Sequence, residues 1–463
     1  MEAELAPAGA LVEGESPLVS VRHLKTYYPI RGSFGQRLLG REAGYVKAVD
    51  DVSLDLRKGE VLGLVGESGS GKTTLGRTLL GLVKATEGSV VFDGRDITQM
   101  SSRELRRLRR GVQIVFQDPH ASLNPAMTIE QSVGHPLQIH RIASGDELRL
   151  RVAETLETVG LSPAEQFMAK YPSDLSGGQK QRAVIARAII LNPLLLVADE
   201  PVSMLDMSVR AKILELMLRL KSELDLTYLY ITHDLATAKF FCDRIAILYL
   251  GRIVEIGPSE AIYEDPKHPY TKALLRAIPE PDPRKTVPRD LPRGEVPDAA
   301  RPPLGCSFHP RCPAAFEVCG WETRDLRDLL EARWAAQGPE QYEAEQALFQ
   351  SDTTLAEPGS KVRLGAAKNT SGHQIHELLA ALRTDDPEDP FWRGVRRITA
   401  DERGVDVEWH EPIEPRLLPA GDVDVECHLY DEQALGEAAR RRAETQPGNT
   451  TGGQSPPVDS SSG

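Results

Sequence analysis

The chain of 463 residues lacks a long uninterrupted run of apolar residues. Its most apolar stretch, residues 183–198, is broken by Arg187, Asn192 and Pro193. A transmembrane helix needs about 20 predominantly apolar residues, so we expect none here. The first residues, MEAELAPAGALVEGES, also lack the basic, apolar and small-residue order of a secretory signal. We therefore expect any membrane role to depend on a partner.

Positive charge is in deficit. Lysine and arginine number 55 against 68 aspartates and glutamates, which gives a formal net charge of −13. Nucleic-acid binding depends on a basic surface, so we expect no nucleic-acid partner. One helix, residues 102–110, does carry five arginines, but a solvated helix face explains them better than a nucleic-acid contact. Cysteine is also scarce, at five residues, which favours a reducing compartment without structural disulfides.

One glycine-rich stretch fits the phosphate-binding loop G-x-x-x-x-G-K-[ST] at every fixed position. An apolar run, residues 60–65, precedes it as a buried strand, and residues 75–82 follow with helical apolar spacing. Backbone N–H groups of such a loop surround phosphate oxygens, and the helix N-terminus adds a positive dipole. The candidate ATP-binding residues are Gly66, Glu67, Ser68, Gly69, Ser70, Gly71, Lys72, Thr73 and Thr74. Lys72 supplies a point charge, and the hydroxyl of Thr73 is a ligand for Mg²⁺.

The rest of the first 258 residues alternates between strand and helix patterns, which predicts an α/β fold. We expect an antiparallel β unit, from strands in residues 18–21, 46–56 and 89–92, to surround the strand before the loop. Buried strands are predicted at 112–116, 194–198 and 228–232, and a closing hairpin at 245–256. Helices are predicted at 102–110, 147–159, 181–191 and 208–224, with residues 120–171 mostly helical.

Further polar motifs follow the loop in a fixed order. Gln117 ends one strand, Asp199 and Glu200 end an apolar strand, and His233 ends another. Between them lies Leu175-Ser176-Gly177-Gly178-Gln179, which opens a helix as an anion-binding nest. Together these motifs resemble an ATP-binding cassette (ABC) ATPase over residues 18–257. The resemblance implies a RecA-like core with an antiparallel β subdomain and a helical subdomain.

The resemblance also implies a role for each motif. Asp199 would hold Mg²⁺ together with Thr73 and Gln117, Glu200 would be the general base that polarises the attacking water, and His233 would contact the γ-phosphate. In this family the signature of one subunit completes the ATP site of another. The signature residues are Ser176, Gly177, Gly178 and Gln179. Asp206 belongs to the D-loop of the same family. An aromatic ring is expected to stack on adenine, and Tyr28 is the candidate, with Tyr27 next.

Two stretches narrow the resemblance to the oligopeptide/dipeptide importers: QDPHASLNPAMTI at 117–129 and HPYTKALL at 268–275. The approach GYVKAV at 44–49 resembles the second ATPase of such importers. Implied partners are a second ATPase in a heterodimer, two membrane permease subunits and, indirectly, an extracytoplasmic solute-binding protein. The chain would then lie on the cytoplasmic face of the membrane, peripheral through the permeases. An importer for another solute, such as nickel, stays open, whereas DNA-repair or translation ABC proteins usually carry paired cassettes or a long coiled coil, which this chain lacks.

Four cysteines, Cys306, Cys312, Cys319 and Cys427, lie beyond the cassette. Four thiolates suit either a [4Fe–4S] cluster or tetrahedral zinc, and unligated thiols are the third alternative. The resemblance implies the cluster, while the nearby His309 and His428 keep zinc open. A redox-sensing module that gates transport is a further hypothesis. The gap before Cys427 is unusually long for the family.

The predicted organisation has six segments. They are a flexible leader at 1–17, the ABC ATPase domain at 18–258, a C-terminal extension with the cysteine triplet at 259–320, an inserted region at 321–424, a return segment with the fourth cysteine at 425–440, and a disordered tail at 441–463. Within the insertion we expect helices near 324–336 and 374–382 and a hairpin at 394–409. Cys242 is expected to be a buried thiol.

Overall fold

The chain forms two compact units in a computed structural model that describes residues 16–30, 44–278, 294–350 and 359–445. The first unit is Met1–Pro303 with Pro415–Tyr430, and the second is Leu304–Glu414 with Asp431–Gly463. The predicted leader at 1–17 and tail at 441–463 lie outside the described residues, except for positions 16–17 and 441–445.

An antiparallel sheet of four strands, in the order β2-β1-β4-β5, forms one layer of the first unit. Its strands are β1 Val19–Pro29, β2 Tyr45–Leu56, β4 Glu87–Phe92 and β5 Arg95–Asp96. Val19, Val21 and Val52 are buried because alternate side chains of each strand share one face. Asp93 and Gly94 join β4 to β5 with φ of 47° and 74°, as a tight hairpin turn requires.

The second sheet has eight strands in the order β14-β15-β10-β9-β3-β8-β7-β6. Its first six in chain order are β3 Val61–Val65, β6 Val112–Val115, β7 Leu195–Asp199, β8 Thr227–Thr232, β9 Arg244–Tyr249 and β10 Arg252–Pro258. Strands β3, β7 and β8 are buried at every residue, which is typical of parallel strands covered on both faces. The expectation that the antiparallel sheet surrounds β3 is wrong, because this wholly apolar strand takes the middle of the larger sheet.

The two remaining strands of this sheet come from far along the chain. They are β14 Leu417–Ala420 and β15 Val423–Glu426, joined by a turn at Gly421. Strand β15 pairs antiparallel with β10, with Glu255 opposite Val425. The chain therefore returns to the first unit at residue 415, ten residues before the predicted return at 425. The predicted hairpin of β9 and β10 is confirmed.

Helices of the first unit cover the larger sheet and form a separate packed group. They are α1 Lys72–Leu79, α2 Ser102–Leu108, α3 Pro119–Ser122, α4 Ile129–Ile139, α5 Gly145–Thr158, α6 Ala164–Met168, α7 Gly177–Ile189, α8 Met207–Leu224, α9 Leu235–Phe241, α10 Ser259–Glu264 and α11 Pro269–Arg276. Helices α4, α5 and α7 pack on one another as the helical part. No residue of the arginine-rich α2 is buried, so its face is solvated as predicted. Within the described ranges, no helix is both long and apolar enough to cross a membrane.

The second unit is built on a three-stranded antiparallel sheet in the order β11-β13-β12. Its elements are α12 Thr323–Ala336, α13 Pro339–Gln346, β11 Lys361–Gly365, α14 Gly372–Asp385, α15 Phe391–Gly394, β12 Val395–Asp401, β13 Gly404–Trp409 and α16 Glu432–Thr445. Helix α14 packs on β12 and β13. The two helices and the hairpin predicted for the insertion are confirmed. Helix α16 continues to Thr445, beyond the predicted start of the tail at 441, and Arg441 pairs with Glu437 one turn earlier.

Candidate active site

The phosphate-binding loop joins the end of β3 to the start of α1 and is held against other backbone. A Cβ on Gly66 would lie 2.2 Å from the carbonyl oxygen of Leu248. Gly71, at φ 100°, approaches Ala48 so closely that a Cβ would lie 2.0 Å from its carbonyl oxygen. Only glycine permits these approaches, so the sequence pattern fixes the loop between β2 and β9.

Lys72 points its ammonium group back into the loop. Its Nζ donates to the carbonyl oxygens of Gly66 at 2.7 Å and Glu67 at 2.8 Å. The residue is only 7% exposed, and this burial lowers the pKa of Lys72 below its usual value. The positive charge therefore lies where the loop N–H groups and the start of α1 favour an anion.

Thr73 and Asp199 present neighbouring oxygen atoms. The Thr73 hydroxyl donates to Asp199 Oδ1 at 3.1 Å. Asp199, the last residue of β7, is buried, and that burial raises its pKa. Hydroxyl and carboxylate oxygens are the ligands that Mg²⁺ prefers, alongside phosphate. This pair therefore fits the cation that accompanies ATP.

Three predicted catalytic side chains meet at one carboxylate. Glu200 Oε2 accepts from Gln117 Nε2 at 2.9 Å, and Glu200 Oε1 lies 3.1 Å from His233 Nδ1. The three residues follow β6, β7 and β8, which are adjacent and parallel in the sheet. Since parallel strands present their carboxyl ends at one edge, residues over 100 positions apart come together there. The local order strand-then-polar-residue, repeated three times, was the sequence signal for this cluster.

The signature residues form the N-terminus of α7. Ser176 caps the helix: its Oγ accepts from Gln179 N at 3.4 Å, while Gln179 Oε1 accepts from Ser176 N at 3.0 Å. Gly178 lies so close to α8 that a Cβ would meet Val209 Cγ1 at 2.8 Å. Asp206 stands at the N-terminus of α8, without a capping bond from its side chain. The helix end and its N–H groups are thus arranged for an anion, and Ser176 and Gln179 bond to each other.

Tyr28 and Tyr27 have different environments near the end of β1. Tyr28 lies opposite Val46 and is 40% exposed. The Tyr27 hydroxyl donates to Asp50, and burial raises the pKa of Tyr27. Tyr28 is therefore the more accessible ring of the two.

The cysteines divide between the two units. Cys306, Cys312 and Cys319 belong to the second unit and Cys427 to the first. Cys306 N donates to Cys319 O at 2.9 Å, and burial, with Cys306 nearby, raises the pKa of Cys312 to about 12. In the part of the chain that the structure describes, no group of three or more His, Cys, Asp or Glu side chains is arranged to hold a metal ion.

One residue at the loop was missed by reasoning from sequence. The hydroxyl of Tyr270, in α11, accepts from the backbone N of Glu67 at 3.0 Å. The stretch HPYTKALL marked this region, but its spacing gives no indication that the tyrosine reaches the loop.

Comparison with known proteins places the chain in a family. Residues 49–203 match the ABC transporter family, and residues 254–319 match the C-terminal region of oligopeptide/dipeptide transporters. The oligopeptide transport ATP-binding protein AppF of Bacillus subtilis strain 168 is 44% identical over 325 residues, or 70% of this chain and 97% of AppF. A protein of Brucella ovis, named for peptide import and ATP binding, is 46% identical over 322 residues, or 70% of this chain and 98% of its own length.

Among solved structures, a dimeric ATP-binding cassette bound to ADP and phosphate is 32% identical, with a TM-score of 0.46. It covers 52% of this chain and 98% of its own. The family matches and the long alignments with transport proteins agree with the motifs found in the sequence. The chain belongs to the ABC transporter family as an ABC-type ATPase that carries the oligopeptide/dipeptide transporter C-terminal region.

Proposed function

We propose that this chain binds and hydrolyses ATP to power a peptide importer for oligopeptides or dipeptides. The observation that carries the hydrolytic part is the Glu200 carboxylate, which meets Gln117 at 2.9 Å and His233 at 3.1 Å. The peptide substrate is supported by the names of the relatives, AppF among them.

The loop Gly66–Thr74 binds the phosphates of ATP, with the ammonium group of Lys72 directed at the β- and γ-phosphates. Thr73, Asp199 and Gln117 would hold Mg²⁺, which would neutralise charge on the phosphates when bound. Glu200 polarises the attacking water, and His233 orients the γ-phosphate. Tyr28 offers the exposed ring that stacks on adenine. Phosphoryl transfer needs such positioning and charge stabilisation rather than a covalent intermediate.

A second ATPase subunit completes each ATP site. The capped N-terminus of α7, with Ser176, Gly177, Gly178 and Gln179, faces ATP held by the partner, and Asp206 lies at the same junction. Closure of this pair on ATP and its reopening after hydrolysis moves two permease subunits. The chain then lies on the cytoplasmic face of the membrane through those permeases, and an extracytoplasmic solute-binding protein delivers the peptide. The partner is a distinct chain, so that the ATPase pair is a heterodimer.

A [4Fe–4S] cluster held by Cys306, Cys312, Cys319 and Cys427 is a separate proposal that rests on the family resemblance. No step of the proposed reaction depends on the cluster. Iron, sulfide and zinc should be measured in protein purified without oxygen, beside the visible absorption spectrum. About four irons per chain with broad brown absorption support the cluster, and zinc or no metal contradicts it.

Uptake by cells tests the transport function. Cells of the host that lack this chain should lose import of a labelled dipeptide or oligopeptide, and a plasmid copy should restore it. A Lys72→Ala copy should not restore import. Loss of nickel uptake with normal peptide uptake would contradict the peptide substrate.

A further inference from the structure

Tyr270 joins the C-terminal region of the transporter family to the phosphate-binding loop. It is fully buried in the first turn of α11, and its ring centroid lies 4.7 Å from that of Tyr249 in β9. Its hydroxyl oxygen accepts from the backbone N of Glu67 at 3.0 Å. The two residues are 203 positions apart, so this bond is a tertiary contact made directly to the loop.

The start of α11 is fixed by two buried side chains. His268 caps the helix, with its Nδ1 accepting from Tyr270 N at 3.0 Å. The carboxylate of Glu255, in β10, accepts from the backbone N of Lys267 at 2.6 Å and of His268 at 2.9 Å. Because Glu255 and His268 are buried in the first unit, the tyrosine has little freedom to leave the loop.

The return segment also contacts the residues around the start of α11. Val425 of β15 lies opposite Glu255 in the sheet. The hydroxyl of Tyr430 donates to the carbonyl oxygen of Lys267 at 3.2 Å. A continuous set of contacts within the first unit therefore runs from the return segment through α11 to Glu67.

Both backbone polar groups of Glu67, its N–H and its carbonyl oxygen, are hydrogen-bonded to side chains. Tyr270 holds the N–H group, and Lys72 Nζ holds the carbonyl oxygen at 2.8 Å. A lysine of this motif reaches the β- and γ-phosphates when ATP binds, whereas the bond from Tyr270 to the N–H group of Glu67 uses no atom of Lys72.

We propose that Tyr270 is a positioning residue for ATP binding, which fixes the Glu67 peptide so that the loop N–H groups that follow face the phosphates. The proposal rests on the nucleotide site proposed above. It separates Tyr270 from the residues that touch ATP, because the tyrosine acts through Glu67.

The test is Tyr270→Phe in the full-length chain, which keeps the ring on Tyr249 and removes the hydroxyl. The matched control is Tyr228→Phe. Tyr228 is also fully buried, and its hydroxyl donates to Met217 O at 3.2 Å in the same unit. Both variants remove one buried tyrosine hydroxyl group, so we expect similar falls in unfolding temperature. Binding of ADP with Mg²⁺ by titration calorimetry should weaken about fivefold in Tyr270→Phe alone, the change expected for one hydrogen bond.

Steady-state hydrolysis gives a second readout. KM for ATP should rise about fivefold in Tyr270→Phe while kcat stays within about twofold, since a positioning bond acts on binding. Equal binding by Tyr270→Phe and wild type, or equal weakening in both tyrosine variants, would overturn the proposal. Lys72→Ala distinguishes failure of the nucleotide site from failure of the role of Tyr270. If Lys72→Ala binds ADP as wild type does, the proposed nucleotide site is wrong. If Lys72→Ala weakens binding while Tyr270→Phe does not, only the role of Tyr270 is wrong.

Hydrogen exchange of the wild-type chain tests the bond between the Glu67 amide and Tyr270 even if Tyr270→Phe does not fold. Without nucleotide, the amide of Glu67 should exchange at least tenfold more slowly than those of the exposed Ser68 and Gly69. Exchange of all three at one rate would show that the bond to Tyr270 is not formed and would overturn the proposal.

Discussion

At the scale of single residues, Glu200 is constrained in both its backbone and its side chain. It adopts φ of 49°, in the left-handed region that residues with a side chain rarely occupy. Such a conformation costs about 1–3 kcal/mol and persists where the surroundings enforce it. Its N donates to Ile231 O at 2.9 Å, and its carboxylate bonds to Gln117. Backbone and side chain are thus both fixed at the point where a water would be polarised.

Glu200→Gln tests the general base. The amide keeps the shape of the side chain but cannot accept a proton, so turnover should fall at least about 100-fold. Binding of ATP with Mg²⁺ should stay within about threefold, because Lys72, Thr73 and Asp199 are unchanged. Calorimetry and phosphate release measure the two effects. Glu215→Gln, on the exposed face of α8, is the control and should behave as wild type; turnover near wild type in Glu200→Gln would mean that another group activates the water.

At the scale of elements, the sequence indicates where a helix begins more readily than it indicates the tertiary contacts that hold that helix start in place. Ser101 caps α2 together with Glu104 in a capping box, and this Ser-x-x-Glu pattern is visible in the sequence because the signal is local. Pro269 at the start of α11 was also readable. The His268 ring as cap and the Glu255 carboxylate beneath it were not, since neither residue is a usual cap and the two lie 13 positions apart. The candidate site shows the same contrast. Lys72 and Glu200 lie in local sequence motifs, whereas the contact of Tyr270 with Glu67 depends on tertiary packing.

The cap of α11 should make folding sensitive to acid. Burial lowers the pKa of His268 to about 3, against about 6.5 for an unfolded histidine. Between these values the unfolded chain takes up a proton that the folded chain refuses, so stability is complete at neutral pH and falls as pH drops from about 6.5 toward 3. His268→Asn keeps a capping acceptor without the titration. From pH 7 to pH 5, wild type should lose about 2 kcal/mol more than His268→Asn in urea unfolding.

Comparison of wild type with His268→Asn isolates the contribution of His268 to the pH dependence of stability from the contributions of neighbouring groups. Burial raises the pKa of Glu255, which acts in the opposite direction, but this contribution is common to both chains and cancels in the difference. Lys272 also lowers the pKa of His268 and is likewise unchanged. Parallel pH profiles for the two chains would show that His268 does not titrate as described.

At the scale of the whole molecule, the second unit interrupts the first. The chain leaves the first unit at Pro303 and returns at Pro415 to add β15 and β14 to the edge of the larger sheet. The sequence indicated a return because of Cys427, but it placed the boundary at 425. Pairing between β10 and β15 joins residues about 170 positions apart, and a register set at that distance leaves no local pattern. The helices and hairpin of the insertion were readable because their contacts are local.

The return segment should contribute measurable stability through Arg252 and Glu426. Arg252 Nε donates to Glu426 Oε1 at 2.7 Å and Nη2 to Oε2 at 3.2 Å, with exposures of 17% and 10%. Removal of one partner leaves the other charge largely buried, so Glu426→Ala should lower the free energy of unfolding by about 2–4 kcal/mol. Arg151 pairs with Glu147 in the same unit at 2.7 Å with both side chains exposed, at 44% and 56%, and Arg151→Ala should cost less than about 1 kcal/mol. Urea unfolding of both variants measures the contrast; if they cost the same, the return strand lies against the cassette without stabilising it through this pair.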